Sequence, residues 1–197
     1  PEDHQIRRSN SIALSASLKK FGYTDLVQSH LNDNPDEINS HFKQSCVDYD
    51  ILIYSGGVSK GKFDYLPEIW ANNGVKKLFH GVSQRPGKPL YFGIHEKTRT
   101  LILGLPGNPI SSLVCLHRYL LVRKPIYVEL QSDVVFMKNL TCFKPVKLHF
   151  NDKGIVEASP IDFKNSGDFS ILSKSDGFIE LPVDKVLFKK GEVYPYY

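Results

Sequence analysis

Asp50-Ile51-Leu52-Ile53-Tyr54-Ser55-Gly56-Gly57 is the stretch on which the fold turns. Its first five residues form a short, nearly all-apolar run, the mark of a strand buried on both faces of a helix-covered sheet. The run passes straight into a serine and two glycines, the composition of a strand-to-helix turn. Just upstream, Asn34-Pro35-Asp36-Glu37 reads as a cap, a proline in the first turn and acids at the positive end of a helix that buries Ile38, Phe42 and Val47. Further back, Ser9 or Asn10 caps a helix through Ile12, Leu14, Ala16 and Leu18 to Phe21, with Gly22 as its stop and a short strand at 26–29. Downstream, a helix starts near Asp64, and strands are expected at 77–79, 90–92 and 100–103. A last helix begins after Pro109 and carries Leu113, Leu116, Leu120 and Leu121. Strand and helix thus alternate to about residue 124. That pattern predicts an α/β domain over residues 1–125: a three-layer α/β/α arrangement around a largely parallel sheet.

The character of the chain changes near Pro125. Short alternating stretches follow, such as Val146-Lys147-Leu148-His149-Phe150 and Phe178-Ile179-Glu180-Leu181, divided by Asp-Lys-Gly and Asp-Gly turns. No helical period is visible there, so residues 126–197 are read as a small all-β, barrel-like domain.

Composition narrows the function classes. Of 197 residues, 41% are hydrophobic and 23% charged, an ordinary globular balance that excludes disordered and fibrous classes. The longest apolar run, 113–122, is interrupted by His117 and Arg118 and falls short of the ~20 residues of a membrane span. The net charge of +4 is too small and dispersed for a nucleic-acid footprint, and its excess lies before residue 126, which fits a local site for a small anion. Cys46, Cys115 and Cys142 are odd in number and far apart, so neither a disulfide framework nor a zinc site is expected, and a reducing cytoplasmic setting is. The opening at Pro1, without Met or a secretory leader pattern, reads as a truncated or processed start. The seven histidines show no spacing for a metal or a catalytic triad.

Three loops carry the chemistry. In Ser55-Gly56-Gly57-Val58-Ser59-Lys60-Gly61-Lys62-Phe63-Asp64-Tyr65, backbone N–H groups can approach an anion while Ser55, Ser59, Lys60 and Lys62 add hydroxyls and charge. The alternative is a tight connection in which Gly56 and Gly57 only satisfy backbone geometry. The loop matches neither standard nucleotide-binding glycine motif. Asp64 at its end either holds Mg²⁺ bridging a pyrophosphate or caps the next helix. In Gln84-Arg85-Pro86-Gly87-Lys88-Pro89, two prolines stiffen a turn around Gly87 and present Arg85 and Lys88 as an oxyanion site or as a solvated turn. In Leu105-Pro106-Gly107-Asn108-Pro109-Ile110-Ser111-Ser112, Asn108 caps a helix whose first amides, near Ser111, face the carboxyl edge of the sheet, where ligands of open α/β sheets bind.

Taken in order, Gln5-Ile6-Arg7-Arg8-Ser9-Asn10, the Ser55–Tyr65 loop, Phe79-His80-Gly81-Val82-Ser83 with the loop that follows it, and Leu105–Ser111 resemble the MoeA family of molybdopterin molybdotransferases, which is similar to the gephyrin E domain. Asn165-Gly167-Asp168-Phe169 around Ser166, and Ser175–Pro182, resemble that family's C-terminal β domain. The resemblance spans the chain and corresponds to the family's third and fourth domains. It implies conversion of adenylylated molybdopterin and molybdate to molybdenum cofactor and AMP with Mg²⁺ assisting, in the homodimeric, longer protein, with this piece alone binding weakly. The alternative is a pterin- or nucleotide-binding or scaffold module without catalysis. By the same resemblance Asp64 is the metal and pyrophosphate carboxylate, Arg85 and Lys88 hold molybdate, and Ser166 approaches the same cleft. Ser55, Gly56, Gly57, Ser59, Gly87, Pro106, Gly107, Asn108 and Ser111 complete the substrate site. Lys62 and Arg8 stand where the family usually carries acids, so the metal is expected to have fewer carboxylates here.

Overall fold

Ile51–Ser55 forms strand β1 of a computed structural model that describes residues 9–58, 65–121, 124–162 and 170–197. Around it, in chain order, lie α1 (Ser9–Lys20), α2 (Pro35–Asp48), α3 (Leu66–Asn72), β2 (Val75–His80), β3 (Gln84–Arg85), β4 (Tyr91–His95), β5 (Leu101–Leu105) and α4 (Pro109–Cys115). A π-helical turn, Leu116–Leu120, continues α4. Then follow β6 (Ile126–Leu130), β7 (Val134–Val135), β8 (Thr141–Phe150), β9 (Val156–Pro160), α5 (Ser170–Lys174), β10 (Gly177–Leu181), β11 (Leu187–Phe188) and β12 (Val193–Tyr196). Two compact units result: Pro1–Val82 with Pro89–Leu113, and Ser83–Lys88 with Val114–Tyr197.

In the first unit α2 starts as its sequence dictates. The Asn34 side chain accepts from Asp36 N at 3.0 Å and Glu37 N at 3.3 Å, with Pro35 in the first turn. The helix buries Ile38, Phe42 and Cys46, while Val47 is 74% exposed, contrary to expectation. Ser9 and Asn10 lie inside α1, and Asn10 directs its side chain elsewhere, as described below. Leu14 and Leu18 are buried, whereas Ile12 faces solvent. No strand forms at 26–29, because that stretch has no ladder partner among the described residues.

The sheet order is β1-β5-β4-β2. The expected largely parallel sheet is corrected here: β1 pairs β5 in parallel, but β5–β4 and β4–β2 are antiparallel. The connection from β4 to β5 is too short to carry the crossover helix that a parallel pair needs, so it closes as a turn, with Arg99 at φ 65°. The three-layer arrangement is likewise not what the structure shows. Its defining packing is α2 and α3 against Leu52, Tyr91 and Ile102 in one core. At the centre Gly104 of β5 is flanked in register by Tyr54 and Tyr91. Trp70 of α3 covers it, fully buried, with ring centroids 5.3 Å from Tyr54 and 4.5 Å from Tyr91. A Cβ at Gly104 would come within 2.9 Å of Trp70 and 2.5 Å of Val58.

The second unit holds a closed ring of five strands, β10-β12-β6-β9-β8 and back to β10. Cys142 of β8 faces Leu181 of β10 and Arg85 of β3, and Val146 faces Gly177 of β10 and Pro160 of β9. A strand has two edges, so β3 and β9 share the edge of β8 opposite β10. The barrel-like expectation is met, with the addition of the short helix α5 and a β7–β11 ribbon. Val128, Leu130, Val146, Ala158, Ile179, Leu181 and Phe188 fill the interior.

Two predictions follow from these contacts. Gly104→Ala should lower stability by about 1–3 kcal/mol, the usual cost of overpacking, measured by denaturant unfolding. In the second unit the Glu192 carboxylate receives hydrogen bonds from Lys185, Tyr194 and Lys189 N, which hold its pKa down to about 2. A depressed folded-state pKa means that the contribution is complete above the ordinary 4.5 and is lost as pH falls toward about 2. Unfolding midpoints should therefore drop through that window, and Glu192→Gln should flatten the drop.

Candidate functional site

At the carboxyl end of β1, Ser55 is exposed, and Gly56 and Gly57 turn the chain at φ 89° and 68°, a conformation that L side chains rarely adopt. Val58 follows, 1% exposed, and its carbonyl accepts from His80 Nε2 at 2.9 Å. Because a carbonyl only accepts, His80 carries its proton on Nε2 and ties the root of the glycine loop to β2. Ser59 and Asp64 lie outside the described residues, as do Lys62, Arg8 and Ser166.

At the end of the neighbouring strand β5, Pro106, Gly107 and Asn108 lead into α4. Asn108 Oδ1 accepts from Ser111 N at 3.0 Å and from the Ser111 hydroxyl at 3.2 Å, and the Ser112 hydroxyl donates to the Pro106 carbonyl. Asn108 is thus the cap that its sequence position predicts. The two loops meet: a Cβ on Gly107 would lie 3.8 Å from the Gly56 Cα. Asn10 joins them, its Nδ2 donating to Ser55 Oγ at 2.6 Å and to the Gly107 carbonyl at 2.8 Å. Its Oδ1 is buried and has no hydrogen-bond partner among the described residues. Sequence reading placed Asn10 at a helix cap and missed this clamp. The only signal was its place in the Arg8-Ser9-Asn10 stretch, since the bond spans 45 residues to Ser55 and 97 to Gly107.

Arg85, Gly87 and Lys88 belong to the second unit, drawn there by the ladder that pairs Gln84 with Thr141 and Arg85 with Cys142. Arg85 is half-buried and Lys88 exposed. Behind them the buried Gln84 amide does the positioning. Its Nε2 donates to the Pro86 carbonyl at 2.8 Å and approaches Cys115 Sγ at 3.7 Å, while its Oε1 accepts from the Tyr119 hydroxyl at 2.5 Å. Cys115 Sγ in turn donates to the Gly87 carbonyl at 3.6 Å. A side chain at Gly87 (φ 102°) would collide with Gln84 at 2.5 Å and Cys115 at 2.6 Å. Burial pushes the Cys115 thiol up to about 12, so it is a neutral packing and hydrogen-bonding group at neutral pH, not a nucleophile. Gln84 and Tyr119 were not legible as functional, because their partnership spans 35 residues.

Residues 3–125 match the family profile described as "Probable molybdopterin binding domain", and residues 127–197 match "MoeA C-terminal region (domain IV)". The chain belongs to the MoeA family. It is 52% identical over 197 residues to a molybdopterin molybdenumtransferase of Synechocystis sp., covering 100% of this chain and 50% of that relative. A molybdopterin molybdenumtransferase of Bacillus subtilis is 29% identical over 196 residues, covering 92% of this chain and 44% of the relative. The solved molybdopterin biosynthesis MoeA protein from Pyrococcus horikoshii shares the fold with a TM-score of 0.74 at 24% identity, over 100% of this chain and 50% of that one. The chain spans about half the length of the curated relatives it matches.

The Gln84 network generates a test. Gln84→Ala removes the bonds that Gln84 makes with the Tyr119 hydroxyl and the Pro86 carbonyl, and should cost about 1–3 kcal/mol in an equilibrium melt. Gln84→Glu keeps an acceptor for Tyr119 but sets a buried carboxylate oxygen against the Pro86 carbonyl, so it should not recover that loss near neutral pH.

Proposed function

We propose that this MoeA-family chain carries part of a molybdenum insertion site, converting adenylylated molybdopterin and molybdate to molybdenum cofactor and AMP within a longer, homodimeric cytoplasmic protein. The observation that carries this reading is the Asn10 clamp, which holds the ends of β1 and β5 together so that Ser55, Gly56 and Gly107 form one rim. A glycine-lined rim at the carboxyl edge of two parallel strands lets backbone N–H groups approach phosphate oxygens closely. In this reading the rim takes the pyrophosphate of the adenylylated substrate, with Ser55, Gly56, Gly57, Ser59, Pro106, Gly107, Asn108 and Ser111 lining it.

Arg85 and Lys88, stiffened by Pro86 and seated on Gln84, are the cations for molybdate. Their contribution is electrostatic. A fixed pair of cations holds the oxyanion in place and stabilises charge as the phosphoanhydride bond breaks and AMP leaves. By the family resemblance alone, Ser166 is assigned to the substrate as well.

Mg²⁺ is assigned to Asp64. Among the described residues no three His, Cys, Asp or Glu side chains converge to hold a metal, so these residues by themselves do not fit the ion and no step is routed through it. The three buried free thiols agree with a reducing setting.

Turnover in a full-length protein is the test. Lys88→Ala should raise the molybdate concentration for half-maximal rate at least about tenfold, while Asp64→Ala should lower kcat more than it changes binding. Asp64→Ala with an unaltered rate would sink the catalytic assignment and leave a pterin- or nucleotide-binding module. Direct binding of adenylylated molybdopterin to these 197 residues should be weak and should strengthen with Mg²⁺.

A further inference from the structure

A polar cluster in the second unit gathers around Glu180 of β10. Arg118 Nε lies 2.8 Å from Glu180 Oε2, and Arg118 Nη2 donates to Glu180 Oε1 at 3.4 Å. The Tyr197 hydroxyl donates to the same carboxylate at 2.8 Å. The Arg118 guanidinium also lies 5.6 Å from the centre of the Tyr197 ring and 5.7 Å from that of Tyr119. Tyr197 is itself held, by paired backbone bonds with Phe178 at 2.9 Å and an edge contact with the Phe143 ring. A lone surface ion pair contributes little. A guanidinium that meets both carboxylate oxygens and lies beside two rings is instead a fixed point.

That fixed point sits in the π-helical turn Leu116–Leu120, closed by Leu121 N donating to the Leu116 carbonyl at 2.9 Å. Such turns are rare and recur at functional sites. Here the turn sends two consecutive side chains to two different strands: Arg118 to Glu180 on β10, and Tyr119 to Gln84 on β3. The polar path then reaches the cation loop. The Pro86 carbonyl can only accept, so the Gln84 amide presents Nε2 to it at 2.8 Å and Oε1 to the Tyr119 hydroxyl at 2.5 Å. The Gly87 carbonyl accepts from Cys115 Sγ, which lies 3.7 Å from that Nε2. A carbonyl oxygen turned toward an oxyanion would repel it. Holding both carbonyls on donors of the protein keeps their negative ends off an anion drawn to Arg85 and Lys88.

We propose that Glu180 is a positioning residue of this loop. By clamping Arg118 it fixes the π-helical turn, and through Tyr119 and Gln84 it keeps the Pro86 and Gly87 carbonyls turned away from the oxyanion that Arg85 and Lys88 bind. Glu180 acts on the anion only through other side chains. That the oxyanion is molybdate rests on the function proposed above, whereas the path from Glu180 to the loop does not.

Thiol labelling in a full-length protein reads the loop without reading activity, because Cys115 is buried against Gly87. Glu180→Gln keeps an acceptor for Tyr197 and removes the charge that grips Arg118, while Tyr119→Phe keeps the ring and removes the bond to Gln84. With labelling mapped by mass spectrometry, Cys115 should react with iodoacetamide at least about tenfold faster in either variant, while Cys142 of β8 stays within about twofold. The double variant should label within about twofold of the faster single one, because both changes cut one path. Equal acceleration at Cys115 and Cys142 would mean a general loosening of the barrel, and unchanged labelling of Cys115 would mean a loop that stands without Glu180. Either result, or rates that multiply in the double variant, overturns the proposal. Turnover gives the second readout. Glu180→Gln should raise KM for molybdate at least about threefold with kcat held within about twofold, and Glu192→Gln on the same barrel should change neither. A molybdate KM that moves in Lys88→Ala and not in Glu180→Gln would also overturn the proposal. One that moves in neither, with Cys115 labelling accelerated, would remove molybdate from the site and uphold the positioning of the loop by Glu180.

Discussion

The first unit depends on the packing of Trp70 over Gly104. In most sheets a side chain from the central strand would fill that space. Here β5 offers none at position 104, and the indole fills the gap between Tyr54 and Tyr91 on the flanking strands. One buried ring therefore locks three strands to α3, and Val58 closes the same pocket from the glycine loop. Among the described residues the buried indole N–H has no partner, a cost that the burial of so much aromatic surface offsets. Because Val58 is also tied to His80, the core and the root of the candidate anion loop are one piece of structure. The root of the loop, at Val58, is placed by packing and by the His80 bond.

The second unit solves the same problem with hydrogen bonds. Closing β10-β12-β6-β9-β8 removes sheet edges, and β3 is added where β8 extends past the ring. That addition brings the two candidate cations to a position where Gln84 can anchor their loop. Gln84 is buried and uses both ends of its amide, which makes it a rigid support. The ion pairs of this unit lie mainly toward solvent and tune its acid sensitivity, while the apolar interior carries its stability.

Among the described residues β1 stands at one end of the sheet order and pairs with β5. The sheet is mixed because β4 and β5 are joined too tightly for a crossover, so β1 and β5 are its one parallel pair among the described residues. Both end at the rim on which the functional reading rests.

Local chemistry was legible in the sequence wherever cause and effect lie within a few residues. Asn34-Pro35 starts α2, Asn108-Pro109 starts α4, the run at 51–55 is a strand, and short alternation after residue 126 gives a barrel. The glycine, arginine-lysine and proline-glycine loops were visible as candidate sites for the same reason. Tertiary structure alone decided strand direction, which depends on connection length and neighbours, and burial at Ile12 and Val47, where apolar residues on amphipathic helices fall outside the packed stripe. It also decided that 26–29 does not pair, since a strand needs a partner that local sequence cannot supply. Asn10, Gln84 and Tyr119 belong to that second group. Each acts through a hydrogen bond to a residue 35 or more positions away, and no local pattern encodes such a contact.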